Sequence, residues 1–147
     1  LDDGAVIAET VAICRYFEEL QPSPPLFGMG AVGRAVVEMW NRRMELGLLG
    51  AVAHAFRHLN PRMAHLEVPQ IAAWGEANIP KALEMLELLD RQLSRNPFVT
   101  GDDYSIADIT ALTAIDFMRP ARIAMPAGLA NVARWHAEVS SRSSAAA

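Results

Sequence analysis

Apolar residues at Val6, Ile7, Val11, Ile13, Cys14, Tyr16, Phe17 and Leu20 fall largely on one side of a helix, and their spacing predicts a first helix over residues 5–20. The stretch QPSPPLFGMG cannot continue it, because its three prolines fix φ and remove backbone donors; residues 21–29 therefore read as a linker. A longer pattern runs through Val32, Val36, Val37, Met39, Trp40, Met44, Leu48, Leu49, Val52 and Phe56, predicting a helix over 30–59 that Asn60-Pro61 ends. Gly33, Gly47 and Gly50 each lower its helicity by about 1 kcal/mol relative to alanine, which points to a bend or a close neighbour. A third helix is expected over 70–95, with Ile71, Trp74, Ile79, Leu83, Leu86 and Leu93 as its core face and a kink at Pro80. Two more follow over 105–118 and 129–139, the last around Trp135, with Pro120 and Pro126 bracketing an irregular link. No segment alternates in the manner of a strand, so the pattern predicts an all-α bundle of five or six helices preceded by one that the prolines set apart.

The helix at 105 is announced with unusual care by TGDDYSIADITAL. Ser105 can accept from the backbone of Asp108, and the Asp108 carboxylate can reach back to the amide of Ser105, a reciprocal N-cap. Tyr104 and Ile109 stand where an apolar staple would sit.

Composition narrows the function classes. With 13 basic residues against 17 acidic, the net charge is −4; the arginines are scattered and Lys81 is the sole lysine, so there is no basic stripe for nucleic acid. No run of about 18 apolar residues is present to cross a bilayer, and no membrane partner is expected. The lone Cys14 excludes an internal disulfide, suits a reducing cytoplasm and is expected to be an inert core residue. The opening LDDGAVIAE is acidic where a secretory signal is basic, and the chain reads as one missing its beginning.

Taken together, DDG, IAETVAICRYFEE, the proline linker, a long helix carrying Trp40 and finally SIADITAL resemble the glutathione transferase superfamily in order and spacing. The resemblance implies that residues 1–20 are the turn and last helix of a thioredoxin-like domain, that 30–142 form the all-α C-terminal domain, and that 143–147 are a frayed tail. It implies that Glu9 and Thr10 bind the γ-glutamyl end of glutathione, which serves as substrate, and that Ser105 and Asp108 are a folding feature. A helix N-terminus suits that ligand, since free amides and the positive dipole end face its α-carboxylate while an acidic side chain receives its ammonium. The family's thiol-activating residue lies in a region absent from this sequence, so no catalytic residue is expected here and the chain alone should be inactive.

A small apolar electrophile is the implied second substrate, and Met39, Arg43, Leu46 and Gly50 share one side of the long helix as candidates for its pocket. Trp40, Met44 and Trp135 are assigned to packing or a subunit contact, and a homodimer with Arg42 or Arg43 at its seam is implied. A non-catalytic docking or dimerisation module is the alternative. His54 and His58 stand four apart, a spacing two metal ligands could use with His65 or Glu67. No carboxylate or Cys one turn away supports it, so no metal is expected. Asp102 and Asp103 read as solvated loop residues, and GMGAVG follows prolines rather than a strand, which argues against a phosphate cradle.

Overall fold

The computed structural model describes residues 1–145. Among the described residues there are six α-helices: α1 Thr10–Leu20, α2 Gly30–Arg42, α3 Gly50–Leu59, α4 Ala72–Leu93, α5 Ile106–Met118 and α6 Ala130–Ser140. Between α2 and α3 the long helix continues as a π-helical segment, Arg43–Leu49, so the expected 30–59 helix is unbroken but widened in the middle. No strand occurs among the described residues; Phe98 and Gly101 form only an isolated bridge.

α5 is the hub. Ile106, Ala107, Ala111, Ala114, Ile115 and Met118 are all buried along it, and it packs on the π-helical segment, α2, α3 and α6. Met44 and Leu48 reach the core from the π-helical turn, while Trp40 and Trp135 are buried packing residues. Gly47 lies within that turn, where an added Cβ would meet the Met85 side chain at 3.1 Å, so this glycine answers to a close neighbour.

α4 crosses α3 at Gly75, where a Cβ would sit 2.7 Å from Leu59. The buried face of α4 is Gly75, Asn78, Ala82, Leu86, Leu89 and Leu93; of the expected face Leu86 and Leu93 are buried, Ile79 and Leu83 pack half-buried against the core, and Ile71 and Trp74 are the two that do not belong to it. Small residues let the helices approach, and Asn78 is buried because its amide donates to the Trp74 carbonyl at 2.7 Å. Ile71 and Trp74 remain exposed. α4 runs continuously through Pro80.

α1 starts at Thr10, five residues later than the spacing predicts. Ahead of it Gly4 adopts φ 83° and the Ala5 amide donates to the Asp3 carboxylate at 2.9 Å, a local turn that competes with helix. None of its residues is buried. Val11 and Cys14 pack on a small second cluster of Phe27, Val37 and Ile106, so Cys14 is half-buried at a seam and not in the main core. Ser143–Ala145 form an exposed 3-10 turn; the remainder of the tail, 146–147, lies outside the described residues.

Two polar ties complete the bundle. The capping box at α5 forms in full, with Asp108 Oδ2 accepting from the Ser105 amide at 2.9 Å. Tyr104 faces Phe98 and the Arg142 guanidinium, and Ile109 is exposed, so the start of α5 is held chiefly by this carboxylate. α6 has no cap of its own; Asp90 of α4 supplies one, accepting from the Asn131 and Val132 amides at 2.9 and 3.0 Å.

Candidate functional site

The head of α1 is an uncapped helix start. Glu9, its N-cap residue, makes no side-chain capping bond, and the backbone there adopts φ 69° and ψ 127°. Positive φ is the glycine region, and a glutamate held in it costs about 1–3 kcal/mol, a strain found where a site demands a particular pose. Glu9 and Thr10 are both exposed, on one open surface with the first-turn amides of α1. Chemically, this end offers backbone donors and a positive dipole to an anion, an acidic side chain to a cation and a hydroxyl between them.

What fixes its direction lies a few turns away. The Phe27 amide donates to both carboxylate oxygens of Glu18, at 3.1 and 3.0 Å, which folds segment 21–29 back onto α1. Arg15 lies over the Phe27 ring at 4.4 Å and pairs with Glu38 of α2, which also holds Arg42 at 3.1 Å. The Leu26 carbonyl accepts from the Ile106 amide at 3.0 Å, joining the same segment to the start of α5. α1 is thus oriented by polar contacts and a small apolar cluster. None of these pairs was visible in the sequence, because partners 9 and 23 residues apart on different elements leave no periodic signal.

The four residues named for the electrophile pocket are not brought together in one cavity. Met39 and Leu46 are 42 % and 69 % exposed, and Arg43 lies over the Trp40 ring at 4.7 Å. Leu46 lines a cavity of about 540 Å³ with Gly47, His54, Trp74 and Lys81, whose walls include neither Met39, Arg43 nor Gly50. Gly50 stays within the helix, its nearest foreign atom the Glu45 carbonyl.

The polar residues given structural readings fall as follows. The Asp108 carboxyl is fully buried; burial raises its pKa above the ordinary carboxylate value, while bonds from Val99, Trp135 and Ser105 pull it down. Asp102 and Asp103 are exposed. His58 accepts the Ile71 amide on Nδ1 at 3.0 Å, which ties its ring to the start of α4. Among the described residues no group of three or more His, Cys, Asp or Glu could hold a metal ion, and no helix is long and apolar enough to cross a membrane.

A helical bundle preceded by an open helix start of this kind can be compared with known proteins. Residues 39–143 match the family described as glutathione S-transferase, C-terminal domain. Glutathione S-transferase 2 of Saccharomyces cerevisiae is 34 % identical over 145 residues, covering 98 % of this chain and 62 % of that protein. The crystal structure of Gtt2 from Saccharomyces cerevisiae superposes with a TM-score of 0.94 at 33 % identity, covering 99 % of this chain and 71 % of that one. Elongation factor 1-gamma 2 of Oryza sativa subsp. japonica is 31 % identical over 121 residues, covering 82 % of this chain but 27 % of that protein. The chain belongs to the glutathione S-transferase family, and its bundle is that family's C-terminal helical domain. It spans about 62 % of the length of its yeast relative.

Proposed function

We propose that this chain is the helical part of a glutathione transferase in which the thiolate of glutathione attacks a small apolar electrophile. Glu9 and Thr10 receive the γ-glutamyl end, and the thiol-activating group is supplied by a thioredoxin-like domain that these 147 residues do not contain. The observation that carries the reading is the strained, uncapped and exposed start of α1, which leaves amides, a carboxylate and a hydroxyl open on one surface. The exposed apolar residues Val6, Ile13, Phe17 and Leu20 support a further domain over this helix. The complete protein works as a cytoplasmic homodimer; the lone half-buried cysteine suits a reducing compartment, and exposed Ile71 and Trp74 give the start of α4 an apolar surface for a second subunit. Met39, Arg43, Leu46 and Gly50 remain the proposed wall for the electrophile, reached from the added domain.

Mixed with glutathione and a chromogenic aryl halide, the 147-residue chain should give only the uncatalysed rate. In the complete protein, Glu9→Ala with Thr10→Ala should raise KM for glutathione at least about tenfold, the loss of two charge-assisted contacts, with little change in KM for the halide. Turnover by the chain alone, or an unchanged KM, overturns the proposal. The likeness to a rice elongation factor favours a second reading, a non-catalytic docking module. That reading takes over if the complete protein neither binds nor turns over glutathione.

A further inference from the structure

The corner between α3 and α4 holds a histidine whose contacts suit one protonation state only. His58 lies in the last turn of α3 with its side chain 9 % exposed. Its Nδ1 accepts from the Ile71 amide at 3.0 Å, so the neutral ring carries its proton on Nε2, which lies 3.6 Å from Oε1 of Glu67. Ile71 is the N-cap residue of α4 and supplies no side-chain cap of its own. A Cβ on Gly75 would lie 3.1 Å from the His58 Cβ, so α4 packs directly on this residue.

We infer that His58 is an acid-sensitive latch on the start of α4, closed by the neutral imidazole and opened by one proton. The two states exclude each other. A second proton can enter only at Nδ1, where it would set one N–H against the Ile71 N–H across 3.0 Å. The cation still has a partner, because Glu67 stands at Nε2. A separation of 3.6 Å is too long for a hydrogen bond from the neutral ring but short enough for a carboxylate to attract a charged one. Protonation therefore exchanges a backbone donor for an ion pair. Imidazoles change charge between about pH 5 and 8, a range in which glutamates stay ionised.

The other charged groups of the corner come from three elements. Arg57 of α3 shares Glu67 from 3.4 Å. His54, one turn earlier, stacks on His58 with ring centroids 6.2 Å apart and meets Trp74 edge-on, over which Lys81 of α4 lies at 4.6 Å. Arg62 and His65 of the connecting loop, and Glu76 of α4, are exposed.

Gln70 limits how far the opening travels. Its side-chain amide donates to the Arg57 and Asn60 carbonyls at 2.6 and 2.8 Å, contacts without a titrating group that keep the loop seated on α3. What is released is Ile71 and the first turn of α4, where the Trp74 and Gly75 amides donate to the Ile71 carbonyl. Ile71 and Trp74 are also the exposed apolar pair offered above to a second subunit, so acid should weaken that contact. This consequence rests on the proposed function; the latch does not.

Hydrogen exchange of the 147-residue chain tests it, each rate divided by that of an unstructured amide at the same pH. From about pH 8 to about pH 5, protection of the Ile71, Trp74 and Gly75 amides should fall about fivefold, the equivalent of one net hydrogen bond, while α5 keeps its protection. His58→Asn puts an amide oxygen where Nδ1 stood, and protection should then stay high throughout. His54→Asn should behave as the parent. Glu67→Gln removes the partner of the cation, and the fall should shrink. Constant protection in the parent, an equal fall in α5, a fall that persists in His58→Asn, or one that does not shrink in Glu67→Gln overturns the inference. Should circular dichroism show His58→Asn unfolded, His54→Asn decides: a fall that it abolishes belongs to His54 and overturns the inference, and a fall that it leaves supports it. None of these outcomes depends on Glu9, Thr10 or glutathione.

Discussion

The indole N–H of Trp135 donates to Oδ1 of Asp108 at 2.8 Å, so the carboxylate that starts α5 also holds the middle of α6. The same oxygen accepts from the Val99 amide at 2.9 Å, and Oδ2 takes both the amide and the hydroxyl of Ser105. One side chain therefore joins a loop, a helix start and a second helix in the interior. All four partners are donors, a set that an ionised carboxylate satisfies and an amide cannot.

Asp108→Asn should accordingly destabilise the fold by about 3 kcal/mol, because its NH2 must confront one pair of buried donors. Urea unfolding of the variant against the parent reads the loss. A difference below about 1 kcal/mol would remove Asp108 from this role.

Acid should act on Asp108 and Asp90 in opposite directions. Burial lifts Asp108 above the ordinary 3.8, so the folded chain takes up its proton more readily than the unfolded chain. Its contribution is then largest below 3.8 and is lost as pH rises through the folded value. For Asp90 burial is also the largest single influence and raises the value, but the bonds from Asn131 and Val132 together outweigh it and leave it below 3.8. That contribution is present above 3.8 and is lost as pH falls through the folded value. Unfolding free energies measured from about pH 7 downward should show the gap between parent and Asp108→Asn widening towards acid. The gap for Asp90→Asn should shrink below about pH 3.8. Two gaps moving the same way would contradict this.

Two glycines make a matched test of packing. Gly33 has no atom within 4 Å of an added Cβ, so Gly33→Ala should stabilise α2 by up to about 1 kcal/mol. At Gly75 the same change drives a Cβ into Leu59 at 2.7 Å and should cost about 1–3 kcal/mol, since α3 and α4 must part. Thermal denaturation of the pair should move Tm in opposite directions.

Glu18→Ala should free α1 without unfolding the bundle. The lost contacts are those to the Phe27 amide, about 1 kcal/mol in net terms, and they lie outside the main core. Hydrogen exchange in α1 and segment 21–29 should speed up while α4 and α5 stay protected. Uniform acceleration across all six helices would show that α1 is part of the main cooperative unit.

Glu9→Gly separates stability from the proposed role. Glycine adopts φ 69° without penalty, so α1 should become more stable by about 1 kcal/mol. In the complete protein KM for glutathione should rise with the carboxylate gone. An unchanged KM would leave Glu9 with a backbone role alone.

Helices showed plainly in the sequence wherever apolar spacing and a breaker coincided, as at Asn60-Pro61 and at the Ser105–Asp108 cap. The first half of the α4 face did not, although Leu86 and Leu93 further along were read correctly, because it is built from Gly75, Asn78 and Ala82, whose burial follows from closeness and a local hydrogen bond rather than from hydrophobicity. The start of α1 was read early because residues 5–9 are apolar enough to extend the helical pattern, while the Asp3–Gly4 turn and the Glu9 backbone end it. Glu9 and Thr10 could be named from their motif. The contacts that aim them, Glu18 on Phe27 and Arg15 on Glu38, join distant elements and have no signature along the chain.

Because α6 takes its start from Asp90, 41 positions earlier, that helix is not self-sufficient. A peptide excised around it would lose the carboxylate that holds its first turn and unravel from the front. Drift at position 90 would be felt first as fraying near Asn131, so the two sites can be exchanged safely only as a couple.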